Sequence, residues 1–401
     1  MSAQEQELKT KLDALLSAAT APGALGIPGV ALVVVRKGGN VYEGSSGVAD
    51  FESGKPFTVD TVVWIASMTK AMTSVAALQC VERGLIGLDE DVSPYVPELQ
   101  SVQLIDRTAP NLSSGDYVLA PAKEKVTLRR LLTHSNGLIY GHAYPHGVQY
   151  MARNGIPSVR TASRGAFKFP AWHEPGKEWH YGMGIDYAGL LVESLSADRL
   201  GHIFQKEIRG PLGMDSTVFN LTPQLLERKT TLFQREADGR AVARADEWPH
   251  KVEVDMGGGG SWSTARDYAK FVRMLLLGGR TPSGQEILSP ATYALGMSGA
   301  LEPEAKESCN AFHKLPGTTL SKFPGAKRDY ALIGMVFEEP LPTGRAAGSV
   351  QWAGVANCYW LVDAKKDIGY VLCSQILPSG DPCVQKLLRE VESTIYEVLA
   401  P

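Results

Sequence analysis

Strand-like runs at both ends of the 401-residue chain, a helical and loop-rich middle, and no linker or internal repeat predict an α/β (α+β) fold around one discontinuous sheet. Residues 1–65 and 290–401 are expected to form the sheet domain, with 66–289 as a mostly helical domain inserted between them. Each element has its own signal. Leu8, Leu12, Leu15 and Leu16 fall at helical spacing and predict an amphipathic helix over 3–19. The apolar run Val30–Val35 and the segment 41–46, joined by Gly38-Gly39-Asn40, predict a β-hairpin.

From 68 to 83, Met68, Ala71, Met72, Val75, Ala76 and Leu78 leave little polar surface and predict a buried helix, stopped by Gly84. A short helix over 127–132 enters the turn His134-Ser135-Asn136-Gly137. Residues 138–180, rich in Gly, Pro, His and aromatics, predict irregular loops, and helices are expected again over 186–195 and 265–277. The β-branched and aromatic runs 331–338, 350–352, 358–362 and 369–375 predict strands. Val384, Leu387, Leu388, Val391 and Ile395 give one face of a terminal helix over 382–398.

Composition excludes several classes of function. A hydrophobic content of 44% is that of a packed globular protein, not a disordered one. With 40 Lys+Arg against 43 Asp+Glu and no long basic block, neither nucleic acid nor an acidic membrane surface is expected as partner. The longest apolar stretches are far short of the roughly 18–20 residues that span a bilayer. Five cysteines, odd in number and without a C-x-x-C pair, predict reduced thiols, not a disulfide framework or zinc site. The N-terminus Met-Ser-Ala-Gln-Glu is polar and lacks an apolar stretch, so a soluble, cytoplasmic protein is expected.

Common catalytic signatures are absent from the sequence. There is no G-x-x-x-x-G-K-[ST], no H-E-x-x-H and no G-x-S-x-G. His142 and His146 are separated by a stretch containing Tyr144-Pro145 and have no third ligand in view, so no metal is expected there, and no cofactor elsewhere. Gly257–Gly260 lacks the strand-turn-helix setting of a nucleotide loop and predicts a close backbone approach or a flexible loop.

One motif survives, Ser67-Met68-Thr69-Lys70, the only S-x-x-K in the chain. Chance alone supplies on the order of one or two such matches in a chain of this length, and serine is an ordinary helix cap. Its place is what matters. At the start of a buried helix, positions i and i+3 share a face, so a hydroxyl at the positive end of the helix would have an amine beside it. Two later blocks give it company. Trp179-His180-Tyr181-Gly182-Met183-Gly184 can project a phenol toward a cleft, and Val350-Gln351-Trp352-Ala353-Gly354-Val355 looks like a strand whose small residues expose backbone N–H groups.

In this order the blocks resemble the serine β-lactamase/penicillin-binding superfamily, and within it the family VIII esterases and the fungal lovastatin-type acyltransferases (transesterases). Thr127-Leu128-Arg129-Arg130-Leu131-Leu132-Thr133-His134-Ser135-Asn136-Gly137-Leu138 is similar to the family's TLRHLLTHTSGL block, and Pro211-Leu212-Gly213-Met214 and Ser263-Thr264-Ala265-Arg266-Asp267-Tyr268 match further stretches. Ala77–Leu85, Glu178–Gly182, Asp186–Gly189 and Asp381-Pro382-Cys383 resemble the lovastatin-type enzymes in particular. Where penicillin-processing members carry Y-x-N or S-x-N and K-T-G, this chain has Tyr181-Gly182-Met183 and Trp352-Ala353-Gly354. The lysine and threonine that hold a penicillin carboxylate are thus missing, which disfavours β-lactam turnover.

The resemblance implies a β-lactamase/transpeptidase-like fold, an antiparallel sheet flanked by helices with a helical insertion. It implies acyl transfer through an acyl-Ser67 intermediate, with Lys70 and Tyr181 sharing the proton work and the backbone N–H groups of Ser67 and Val355 forming the oxyanion hole. Trp352, Ala353, Gly354, Tyr140 and Trp172 are the expected substrate contacts. Among the aromatics Trp64, Tyr140, Tyr144, Trp172, Trp262, Trp352 and Trp360, two or three are expected to meet ligand and the rest to be core. The implied partners are small molecules: an ester or thioester acyl donor, on a carrier protein or free, and an alcohol acceptor of secondary metabolism. Hydrolysis of small esters by the same residues is the alternative; β-lactamase or D,D-peptidase activity and a non-catalytic penicillin-binding-like protein rank below it.

Overall fold

The computed structural model describes residues 2–21, 26–109, 112–314, 323 and 325–400. Its centre is a seven-stranded sheet in which every neighbouring pair is antiparallel. The strands are β1 (Gly29–Arg36), β2 (Gly39–Gly47), β3 (Arg328–Tyr330), β4 (Met335–Phe337), β5 (Val350–Gly354), β6 (Cys358–Asp363) and β7 (Ile368–Cys373). They lie in the order β2-β1-β7-β6-β5-β4-β3, so the N-terminal hairpin is joined to the C-terminal strands through the β1–β7 pair.

The period-two geometry of a strand explains the unbroken apolar run in β1. Val30, Leu32 and Val34 face one layer, with α1 (Ala3–Ala19) and the terminal helix; Ala31, Val33 and Val35 face the other. α1 starts at a capping box between Ser2 and Glu5. The remaining helices needed below are α2 (Thr69–Glu82), α3 (Leu128–Leu132), α4 (Pro145–Arg153), α5 (Gly184–Ser196), α6 (Ala265–Leu276) and α7 (Pro382–Leu399). α6 lies within the 66–289 interval, yet it packs on β1 and β7, so the sheet's second layer comes from the middle of the chain. α2 packs against α5. No described helix is long and apolar enough to cross a membrane.

Two stretches differ from their sequence reading. The loop region 138–180 contains α4, a true helix started by Pro145 at its first position. The run 331–338, expected as one strand, is only partly extended. Leu332 and Ile333 are buried in the turn between β3 and β4, where the Ile333 N–H bonds the Gly296 carbonyl. Burial at a turn and burial along a strand select the same apolar residues, so composition does not separate them.

A buried ion pair ties α7 to the sheet. Arg345 Nε donates to Glu392 Oε1 at 2.8 Å, its Nη1 to Gln351 Oε1 of β5 at 2.6 Å, and Tyr370 of β7 donates to Glu392 Oε2 at 2.6 Å. Burial alone would raise the Glu392 carboxyl, but Arg345 and the hydroxyls of Thr343 and Tyr370 hold it below the usual carboxylate range. Removing one member leaves the other charge buried and unpaired. Glu392→Gln is therefore expected to lower the free energy of unfolding by about 3 kcal/mol, measured by urea denaturation.

Candidate active site

The site forms where the segment entering α2 meets β5 and the start of α5. Ser67 sits in a single 3₁₀ turn, Ala66–Met68, just before α2, and Ala66 has φ +45°. A non-glycine residue in the left-handed region is strained, and here it turns the following serine out of the core: Ala66 and Met68 are buried, Ser67 only half so. β5 runs beside this turn. A side chain at Gly354 would come within 2.3 Å of the Ile65 carbonyl oxygen, so the strand's glycine is required by the backbone carrying the nucleophile.

Lys70 follows one helical turn later and is 1% exposed. Its Nζ donates to Ser67 Oγ at 3.4 Å, to the Tyr140 hydroxyl at 3.0 Å and to the Gly258 carbonyl at 2.5 Å. Tyr181 donates to Ser67 Oγ at 2.6 Å, and Lys70 Nζ lies 4.7 Å from its ring centre. The three residues singled out by the motifs therefore converge on one hydroxyl.

Two residues with no expected catalytic role complete the network. Asp186, in the first turn of α5, accepts from the Tyr140 hydroxyl at 3.0 Å and from the Gly258 N–H at 2.8 Å. Burial raises its carboxyl above the ordinary range, opposed by the nearby Lys70 charge. Burial, reinforced by Asp186, pushes the Tyr140 phenol well above its usual value. The sequence signal for Asp186 is an acid on the face of a helix otherwise buried from Gly184 to Val192; for Gly258 it is the four-glycine run. Gly258 is the close backbone approach expected of that run: a side chain there would come within 2.2 Å of Asp186 Oδ2.

Behind Tyr181 stands His134, fully buried, with φ +61° and its ring centre 4.8 Å from that of Tyr181. Among the described residues neither ring nitrogen has a hydrogen-bond partner. Burial, then the Lys70 charge, holds its pKa well below the usual value, so it packs as a neutral ring.

A cavity of about 130 Å³ opens over Ser67, lined by Trp64, Tyr140, His142, Val159, Arg160, Tyr181, Trp248 and Val355, with Gly258 and Gly259 on its floor. Trp64 stacks on Trp248 at 5.5 Å and donates its indole N–H to the Gly259 carbonyl. Of the expected substrate contacts only Tyr140 lines this cavity. Trp352 is buried behind Tyr181 and Tyr330, with ring centres 5.3 and 5.2 Å away, because the inward face of β5 points into the core there. Ala353 faces the opposite layer, with the terminal helices, and Gly354 abuts the Ile65 backbone. Trp172 stacks instead on His146 and Tyr144, at 5.2 and 6.1 Å, with Arg107 over its ring. His142 and His146 are also divided, the first on the cavity wall and the second bonded to Tyr117. Val355 lines the cavity beside Ser67, and among the described residues its backbone N–H has no partner.

Known proteins match this chain along nearly its whole length. The family model described as β-lactamase matches residues 12–391. Monacolin J acid methylbutanoyltransferase of Aspergillus terreus is 32% identical over 358 residues, spanning 85% of this chain and 83% of its own. Lovastatin esterase of Penicillium rubens is 29% identical over 369 residues, spanning 89% and 90%. A mutant of simvastatin synthase from Aspergillus terreus superposes with a TM-score of 0.86 at 30% identity, over 99% of this chain and 98% of that one.

Proposed function

The chain belongs to the β-lactamase family, and from that premise we propose that it is a serine acyltransferase, working through acyl-Ser67 from an ester or thioester donor to an alcohol. The observation that carries this reading is the 2.6 Å contact between Tyr181 and Ser67 beside the Lys70 amine. In the reactive form Tyr181 has released its hydroxyl proton through the open cavity that it lines, and as Ser67 Oγ forms a bond to the acyl carbon its own proton passes to that phenolate. The developing oxyanion is met by the N–H groups of Ser67 and Val355. Tyr181 then returns the proton to the departing thiolate or alkoxide as its bond to carbon breaks. In the second half the acceptor hydroxyl gives its proton to Tyr181, attacks the acyl carbon and releases Ser67 with the proton restored.

Transfer in place of hydrolysis is supported by the methylbutanoyltransferase relative and by a cavity whose aromatic walls can seat an apolar acceptor and restrict water. The acceptor class that fits is a hydrophobic secondary-metabolite alcohol, and the donor a short branched or linear acyl thioester, free or on a carrier protein. β5 offers no lysine for a penicillin carboxylate: Trp352 is buried in the core. Ester hydrolysis is the second reading, favoured by the lovastatin esterase relative.

The two are separated by partition. With p-nitrophenyl butyrate, nitrophenol release is expected, and added hydrophobic alcohol should divert product from butyrate to butyrate ester, read by mass spectrometry. Free acid alone at saturating alcohol would establish the hydrolase; no nitrophenol would remove the acyl-enzyme reading.

A further inference from the structure

Asp186 is 2% exposed and, among the described residues, forms no direct ion pair. Two bridges nevertheless join it to Lys70. Tyr140 donates its hydroxyl hydrogen to Asp186 Oδ2 and accepts from Lys70 Nζ, both at 3.0 Å. The Gly258 peptide does the same with its two ends, N–H to Asp186 Oδ1 at 2.8 Å and carbonyl to Lys70 at 2.5 Å. With Ser67 as third acceptor, the three N–H bonds of an ammonium are all used.

Resting on the acyl-transfer reading, we propose that Asp186 is a positioning residue: through Tyr140 and the Gly258 peptide it holds Lys70 as an ammonium ion aimed at Ser67 and Tyr181. The proton leaving Ser67 then goes to Tyr181 in its phenolate form, the nearer group, while Lys70 supplies charge.

Two features of the geometry carry this. A neutral lysine would leave the buried Asp186 carboxylate without a compensating charge. Finally, Lys70 lies in the first turn of α2, where the helix dipole opposes a cation, and Asp186 in the first turn of α5, where it favours an anion. The carboxylate offsets the field that would otherwise act against the ammonium.

The titratable groups facing Lys70 are Tyr140, Tyr181 and Asp186, with neutral His134 and Tyr330 behind the Tyr181 ring. Across the cavity, Arg160 is bonded to Glu247, and burial and Arg160 lower the His142 pKa to about 4. Other charges on the surrounding elements are engaged elsewhere: Asp255 with Arg199, Arg83 with Glu207, and Glu193 with the Leu200 N–H.

The test is the pH profile of kcat/KM for p-nitrophenyl butyrate with the full-length protein and two variants. Asp186→Asn is expected to lower kcat/KM at least about tenfold and to move its alkaline limb about one pH unit toward acid, because the ammonium has lost its partner. Tyr140→Phe should shift the limb in the same direction by less, since the Gly258 bridge remains; it decides the matter should Asp186→Asn not fold. A uniform loss with both limbs unmoved would show a merely structural role and overturn the proposal. So would movement of the acid limb alone, which would make neutral Lys70 the working form. Fluorophosphonate labelling of Ser67 in the unaltered protein is the separate check on acyl transfer: without it that reading and this proposal fall together, whereas with it unmoved limbs overturn the proposal alone.

Discussion

Ser67→Ala is expected to abolish acylation, with kcat/KM for p-nitrophenyl butyrate falling by at least about 10⁴-fold, or more than about 5 kcal/mol of transition-state stabilisation. The loss should be chemical and not structural. Among the described residues Ser67 Oγ is bonded only to Lys70 and Tyr181, and both keep other contacts when it is removed. Thermal unfolding should therefore stay near the parent value while a fluorophosphonate no longer adds mass to the chain. Labelling of the alanine variant at another serine would place the nucleophile elsewhere.

The second large effect is expected at Tyr181. Phenylalanine keeps the ring between His134, Trp352 and Lys70 but removes the hydroxyl that touches Ser67. Both acylation and deacylation should slow by about 10³-fold, since the same group carries the proton in each half-reaction. Single-turnover measurements followed by intact mass resolve the two steps. A variant slowed only in deacylation would show that the proton leaves Ser67 by another route, with Lys70 the remaining candidate.

Much of this candidate site is legible in the sequence. Ser67 and Lys70 announce themselves by spacing, and Tyr181 and Val355 by the order of the blocks in which they stand. The fold class was legible too, because β1, β6 and β7 are short apolar runs bounded by turns. What stayed hidden is what depends on the direction of a side chain. Trp352 and Trp172 look like pocket aromatics, yet one is buried behind Tyr181 and the other stacks on His146 away from the cavity. Asp186 reads as an ordinary first-turn acid until the chain brings Tyr140 and Gly258 to it from 46 residues upstream and 72 downstream. Pro145 at the head of α4 reads equally well as a loop residue, since proline favours both settings.

The pairing of β1 with β7 also bears on how the protein is made. Val33 of β1 lies opposite Val371, and Ala31 opposite Cys373, so on the ribosome the N-terminal hairpin waits for its central neighbour until the residues up to 373 have been synthesised. Through that interval Val30, Leu32 and Val34 lack the terminal helix that will cover them, leaving a sticky strand edge and an open apolar face. Contacts so distant along the chain make for slow folding, so the nascent protein has a long window in which a holdase chaperone is useful. Val355, and with it half of the oxyanion hole proposed here, is made 288 residues after Ser67, so the proposed site is complete only once that segment has emerged.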